Sequence, residues 1–276
     1  MTAHLQPRAT VPVLPKGVDG SNRLTPPNRV PGVTVDFWLI KLMAVTMGET
    51  AADYLAVNLG LGLSATSLIM SAILVATLAV QFAQKRYVPW AYWLAVVMIS
   101  IVGTLVSDNL VDNLGVTLEA TTAIFGLALI VVFAAWFTCE GTLSIHTIVT
   151  TRREVFYWLA ILLTFAFGTA AGDLVSEAFD LGYIVTGIFF AAVIGIIAFA
   201  HYGLEMNGIL AFWLAYIFTR PLGASAGDLL SQPTEYGGLG FGTTTTSLAF
   251  LGCIIAIVVY MTLARSRVPA VADGDS

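Results

Sequence analysis

The 276-residue sequence predicts an all-α, polytopic membrane protein, with eight transmembrane helices arranged as four parallel two-helix repeats around a polar centre. Three observations carry that prediction: a composition too apolar for a soluble domain, eight apolar runs of spanning length, and one motif that recurs four times.

Hydrophobic residues make up 58% of the chain and charged residues 11%, with a mean hydropathy of +0.87. A soluble domain carries roughly a quarter charged residues, so the bulk of this chain belongs in lipid. A helix needs about 20 mainly apolar residues to cross a bilayer. Runs of that kind occupy 36–57, 64–83, 90–112, 119–138, 155–177, 182–201, 208–231 and 243–264.

The flanks differ. Residues 1–33 are rich in Pro, Gly and basic side chains and lack the apolar segment of a signal peptide, so they read as a disordered tail, as does 265–276. The membrane domain is then 34–264. Its basic residues gather in QKRY (84–87), in TRRE (151–154) and next to the two tails, while the connections around 58–63, 113–118, 178–183 and 232–242 contain none. Loops rich in Lys and Arg stay in the cytoplasm, which puts both termini there. Cys139 and Cys253 sit in or beside apolar runs and read as packing residues, not as a disulfide or metal pair.

The repeat begins at tryptophan. Trp38, Trp93, Trp158 and Trp213 each open a Trp-Leu pair; ten residues on stand Gly48, Gly103, Gly168 and Gly223, and five further on Asp53, Asp108, Asp173 and Asp228. Thr66, Thr121 and Thr186 follow their aspartates by thirteen residues, and Thr246 follows Asp228 by eighteen, across the insertion TEYGGLGFG. The unit is a two-helix hairpin, giving repeats at 34–86, 87–140, 154–204 and 207–264. An even number of helices per unit makes the copies parallel, unlike the inverted repeats of many transporters. Four tandem two-helix units with this W-L-x8-G-x4-D pattern resemble a bacterial membrane-protein family defined by a repeat of unknown function. That likeness covers residues 34–264 and implies a bacterial inner (plasma) membrane, but no activity.

Function therefore has to come from side chains. Stepping by four along a helix returns to nearly the same face, and from each aspartate the odd helices give polar columns. These are Lys41, Val45, Glu49, Asp53, Val57; Val96, Ser100, Thr104, Asp108, Asp112; Ile161, Phe165, Thr169, Asp173, Glu177; and Tyr216, Arg220, Ala224, Asp228, Gln232. Four inner helices turning these columns to a common axis, with apolar even helices outside, account for acids inside a membrane. Tryptophan-rich ends at the interface place the aspartates about 22 Å deeper. Intramembrane acids face a cavity or a partner and often mark an ion path.

Asp53, Asp108, Asp173, Asp228 and Glu49 are thus the candidate cation-binding residues, with the four aspartates as candidate metal ligands. Thr104, Thr169, Asp112, Glu177 and Gln232 form a second tier. Arg220, followed by Pro221, is a candidate counter-ion of Glu49 or a gate, and Lys41 is expected to snorkel to the cytoplasmic surface. His146 and His201 read as interfacial loop residues.

The columns hold seven acids against two bases, so their charge balance calls for a cation or protons. Oxygen ligands without His or Cys suit hard cations such as Mg²⁺, Mn²⁺ or Ca²⁺. Three readings follow: a hard-cation transporter working by proton exchange, a proton-coupled carrier of a small organic solute, and a scaffold whose polar core fixes helix register. The expected partners are the transported cation or proton and the lipid bilayer. The sequence has no nucleotide-binding loop, metalloprotease motif or nucleophile elbow, and gives no reason to expect an enzyme, a cofactor or a nucleic-acid partner.

Overall fold

A computed structural model of the protein describes residues 27–178 and 181–266; the side chains of 177, 178, 265 and 266, like the two tails at 1–26 and 267–276, lie outside that description. Eight α-helices follow in order: α1 (Val35–Asp53), α2 (Leu63–Ala83), α3 (Pro89–Asp108), α4 (Leu118–Glu140), α5 (Thr151–Asp173), α6 (Gly182–Gly203), α7 (Gly208–Ser231) and α8 (Thr243–Ser266). Their starts are chemically marked. Thr34, Thr117 and Thr150 accept from a backbone N–H of the first turn, Asn207 accepts from two, and Pro89 opens α3.

Among the described residues, seven helices are long and apolar enough to cross a membrane. The exception is α1, which carries Asp36, Lys41, Glu49 and Asp53 in 19 residues. Burial separates two layers. In α3, α5 and α7 the apolar window is 67%, 61% and 50% buried, against 17% in each of α2, α4, α6 and α8. The inner helices form a closed ring in which α1 packs on α3, α3 on α5, α5 on α7 and α7 back on α1.

The outer layer corrects the hairpin expectation. The second helix of each unit packs mainly on the first helix of the following unit: α2 on α3, α4 on α5, α6 on α7, and α8 on α1. Each unit thus buries its apolar stripe against its neighbour, as stacked repeats do, and α8 closes the circle.

The repeated glycines set the spacing. Gly48 lies on Ser100, Gly103 on Phe165, Gly168 on Arg220 and Gly223 on Val45. In every case the glycine of one unit meets the residue eight before the aspartate of the next. With no Cβ, two inner helices approach closely. A Cβ at Gly103 would lie 2.7 Å from the Phe165 Cβ and 3.2 Å from the Ala166 N, atoms that cannot swing aside. Gly103→Val is therefore expected to lower stability by about 1–3 kcal/mol, measured by denaturant titration in detergent micelles; wild-type stability would show that the ring tolerates a wider spacing.

An aromatic layer seals the ring at the N-terminal ends of its helices. The residue before each repeat tryptophan packs on the next tryptophan: Phe37 on Trp93, Tyr92 on Trp158, Tyr157 on Trp213 and Phe212 on Trp38, with centroids 5.4 to 6.2 Å apart. The Tyr92 and Tyr157 hydroxyls meet at 2.6 Å. The repeat tryptophans were expected to sit in the interfacial belt. Instead Trp93, Trp158 and Trp213 are buried, because they fill the space between neighbouring units, and Trp90 is the exposed one.

Two further expectations change. The end of the predicted disordered tail is docked: Asn28 donates to the Ile145 carbonyl and accepts from the Ile148 N–H, Val30 is buried, and Arg29 pairs with the buried Glu154 at 2.7 Å. Hydrogen bonds from backbone groups and a buried acid outweigh the disorder-promoting composition of that segment. Cys139 and Cys253 are free, as expected, but exposed instead of packed, since they lie on the outer faces of α4 and α8.

Candidate functional site

The four aspartates sit where the inner α-helices change character. Asp53, Asp108 and Asp173 each end their α-helix, and a π-helical turn follows: Tyr54–Asn58, Asn109–Asn113 and Leu174–Ala178. Such turns widen the coil and occur at functional sites. In α7 the α-helix runs on past Asp228 to Ser231. After Asp53 the wider turn breaks the count in fours: Val57, placed on the polar column by counting, is 72% exposed.

All four aspartates nevertheless reach one pocket. It has a volume of about 190 Å³ and is lined by Glu49, Asp53, Asp108, Asp173 and Asp228, with Asp112, Ser176, Tyr183 and Gln232 among the outer residues. The aspartates are half-buried, Glu49 is buried and Asp112 is exposed at the mouth. Gln232 donates to Asp53 at 3.5 Å. Glu177, a second-tier candidate, has its side chain outside the described residues.

One turn inward the pocket has a floor. Nη2 of Arg220 donates to Glu49 Oε2 at 2.6 Å, to Thr169 Oγ1 at 2.7 Å and to Thr104 Oγ1. A single guanidinium from α7 thereby reaches α1, α3 and α5, with no exposed surface. Among the described residues its Nε and Nη1 have no hydrogen-bond partner. Guanidinium is the side chain suited to this place, because it presents several donors in a rigid plane and is weakly hydrated for a cation.

Lys41 departs from its expected role. It is fully buried, donates to the Tyr216 carbonyl at 2.6 Å and lies 4.0 Å from the centroid of the Tyr216 ring. It cannot snorkel because the aromatic layer stands between it and the N-terminal face of the bundle. From the pocket inward the axis therefore carries the acids, the Arg220 layer, Lys41 with Tyr216, and the aromatic seal.

The aspartates share a pocket without forming a ligand cage. Among the described residues no three His, Cys, Asp or Glu side chains are arranged to hold a metal ion. The arrangement is an acidic basin with a positive floor, open at one end of the ring and sealed at the other.

Fold and pocket together define an integral membrane protein made of four tandem helical units around a polar axis. The chain belongs to the family described as Repeat of Unknown Function (DUF347), whose model matches residues 37–87, 91–142, 156–207 and 211–267. No curated protein and no solved structure matches the chain.

Proposed function

We propose that the protein is a bacterial inner-membrane transporter for a hard cation, such as Mn²⁺ or Mg²⁺, exchanged for protons through the aspartate basin. All eight helices span the bilayer as four parallel units, with both termini cytoplasmic. The observation that carries this reading is the convergence of five acids from α1, α3, α5 and α7 on one small pocket. In a membrane interior such acids face a cavity or a partner and often mark an ion path. The polarity of α1 is compatible with spanning, because Lys41 and Glu49 face the axis and are covered by neighbouring helices.

The size of the basin favours an ion. Sites for organic solutes hold about 300–1,000 Å³, against about 190 Å³ here. A larger pocket, of about 780 Å³, is mainly apolar and lies along α1, α6 and α7 toward their other ends, away from the acids. A scaffold would need no common pocket for its four aspartates. Because the carboxylates do not close on one point, the cation enters with part of its water and is held by charge more than by direct coordination.

Transport requires the sealed end to open. Arg220 is the natural control point, since its bonds to three inner helices hold the ring together beneath the basin. Pro221 follows it in α7 and removes one backbone donor there, a common site of helix bending. Reconstitution into liposomes, with uptake measured for Mn²⁺, Mg²⁺, Ca²⁺ and H⁺, tests the reading. Movement of at least one of these above empty liposomes is expected, and flux of none would contradict it.

A further inference from the structure

The fourfold pattern is broken at one place on the outside of the bundle. Fifteen residues after each repeated threonine stand Gln81, Trp136, His201 and Met261. Three of these fill the groove between units. Gln81 is buried and donates to Glu154, which also accepts from Trp158. Trp136 is buried with its ring 5.7 Å from Trp213. Met261 packs against the main core.

His201 does not fill its groove. Its Nδ1 lies 2.9 Å from the Met206 carbonyl, in a turn where Glu205 takes a left-handed φ of 56°. A non-glycine residue rarely adopts that conformation, so the turn that draws the imidazole aside is strained. Beside it Trp38 is half-buried, whereas Trp93, Trp158 and Trp213 are 1%, 3% and 4% exposed. The result is the cleft of about 780 Å³ between α1, α6 and α7.

The cleft has the polarity of an amphiphile. Ser144, His146, His201 and Asn207 lie at its outer end, while Leu42, Ile197, Ala215 and Leu222 line the rest. From Asn207 to Leu222 it follows α7 for about 22 Å, more than the roughly 15 Å of hydrocarbon in one leaflet. Two of its wall residues, Leu39 and Tyr202, are exposed on the outside of the bundle, so the cleft opens onto the surface that the spanning helices turn to lipid. We infer that it is a lipid site, holding one acyl chain of a membrane phospholipid with the phosphate headgroup at the His146–His201–Asn207 end. The Asn207 side-chain oxygen caps α7, which leaves its amide N–H groups to donate to a phosphate.

The test uses the full-length protein in phosphatidylethanolamine–phosphatidylglycerol vesicles containing a phosphatidylethanolamine with a photoactivatable acyl chain. After irradiation, crosslinks are mapped by peptide mass spectrometry, and bound lipid is counted by native mass spectrometry from mild detergent. Wild type is expected to keep one phospholipid per chain and to crosslink mainly within 38–42 and 194–222. His201→Trp, which copies Trp136 of the second unit, should reduce both signals roughly tenfold. Ala215→Phe, blocking the cleft from its deeper part, should do the same. Uniform labelling of all lipid-facing helices in wild type overturns the assignment, as do folded variants that retain the lipid. Deletion of residues 1–26 should leave the lipid count unchanged; a rise would give the cleft to the N-terminal segment instead.

Discussion

Replacing Arg220 with glutamine alone is expected to destabilise the protein by about 3–5 kcal/mol, because it leaves the Glu49 carboxylate buried without its cation. Glutamine keeps a hydrogen-bond donor for Thr104, Thr169 or Glu49, so the loss reports the charge more than the shape. The second substitution, Glu49→Gln, should recover most of that loss in the double variant, since a neutral pair needs no counter-charge. Glu49→Gln by itself should cost less, because Arg220 still has two threonine acceptors and the acids of the basin lie nearby. Denaturant titration in micelles of wild type, both single variants and the double variant closes the cycle. An equal loss from Arg220→Gln in the presence and absence of Glu49→Gln would mean that the two residues are not coupled, despite their 2.6 Å contact.

Much of this arrangement was legible because a helix repeats its faces. Counting in fours from the aspartates grouped Lys41 and Glu49 with Asp53, and Arg220 with Asp228, and the structure turns all of these toward one axis. Past the aspartates the same counting held for Asp112 and Gln232, which line the pocket, and failed in α1, where one of the three π-helical turns leaves Val57 at the surface. Nothing in the local sequence marks those turns. The partner of each outer helix was also hidden: an apolar stripe on α2 states that it must be buried, and only the assembled ring decides that α3 buries it instead of α1.

Lys41 and the repeat tryptophans depart from expectation for a related reason. Distance from a helix end alone places long cations where they snorkel and indoles at the interface. Here the ends of four helices converge, and the aromatic layer that they build turns that region into core. The asymmetry at His201 is visible in the sequence once the threonines are aligned, as Gln81, Trp136, His201 and Met261. Its consequence needs coordinates, because a half-buried Trp38 and an open cleft are properties of the packing.

The aspartate basin is the centre of the functional account, and its removal is the other large effect expected. Each of Asp53→Asn, Asp108→Asn, Asp173→Asn and Asp228→Asn preserves shape and takes one negative charge from a shared pocket. A charge-assisted contact is worth about 1.5–3 kcal/mol, so each variant should lose roughly tenfold or more in cation flux. Folding should survive, because the aspartates are half-buried at the open end of the ring while the glycine contacts and the Arg220 layer lie deeper. The most direct measurement is the flux of Mn²⁺, Mg²⁺ and H⁺ into liposomes by wild type and the four single variants, with folding checked by thermal denaturation. Transport by wild type and its loss in all four folded variants is the predicted result; four folded variants that transport at the wild-type rate would contradict the account and leave the aspartates as a relic of repeat duplication.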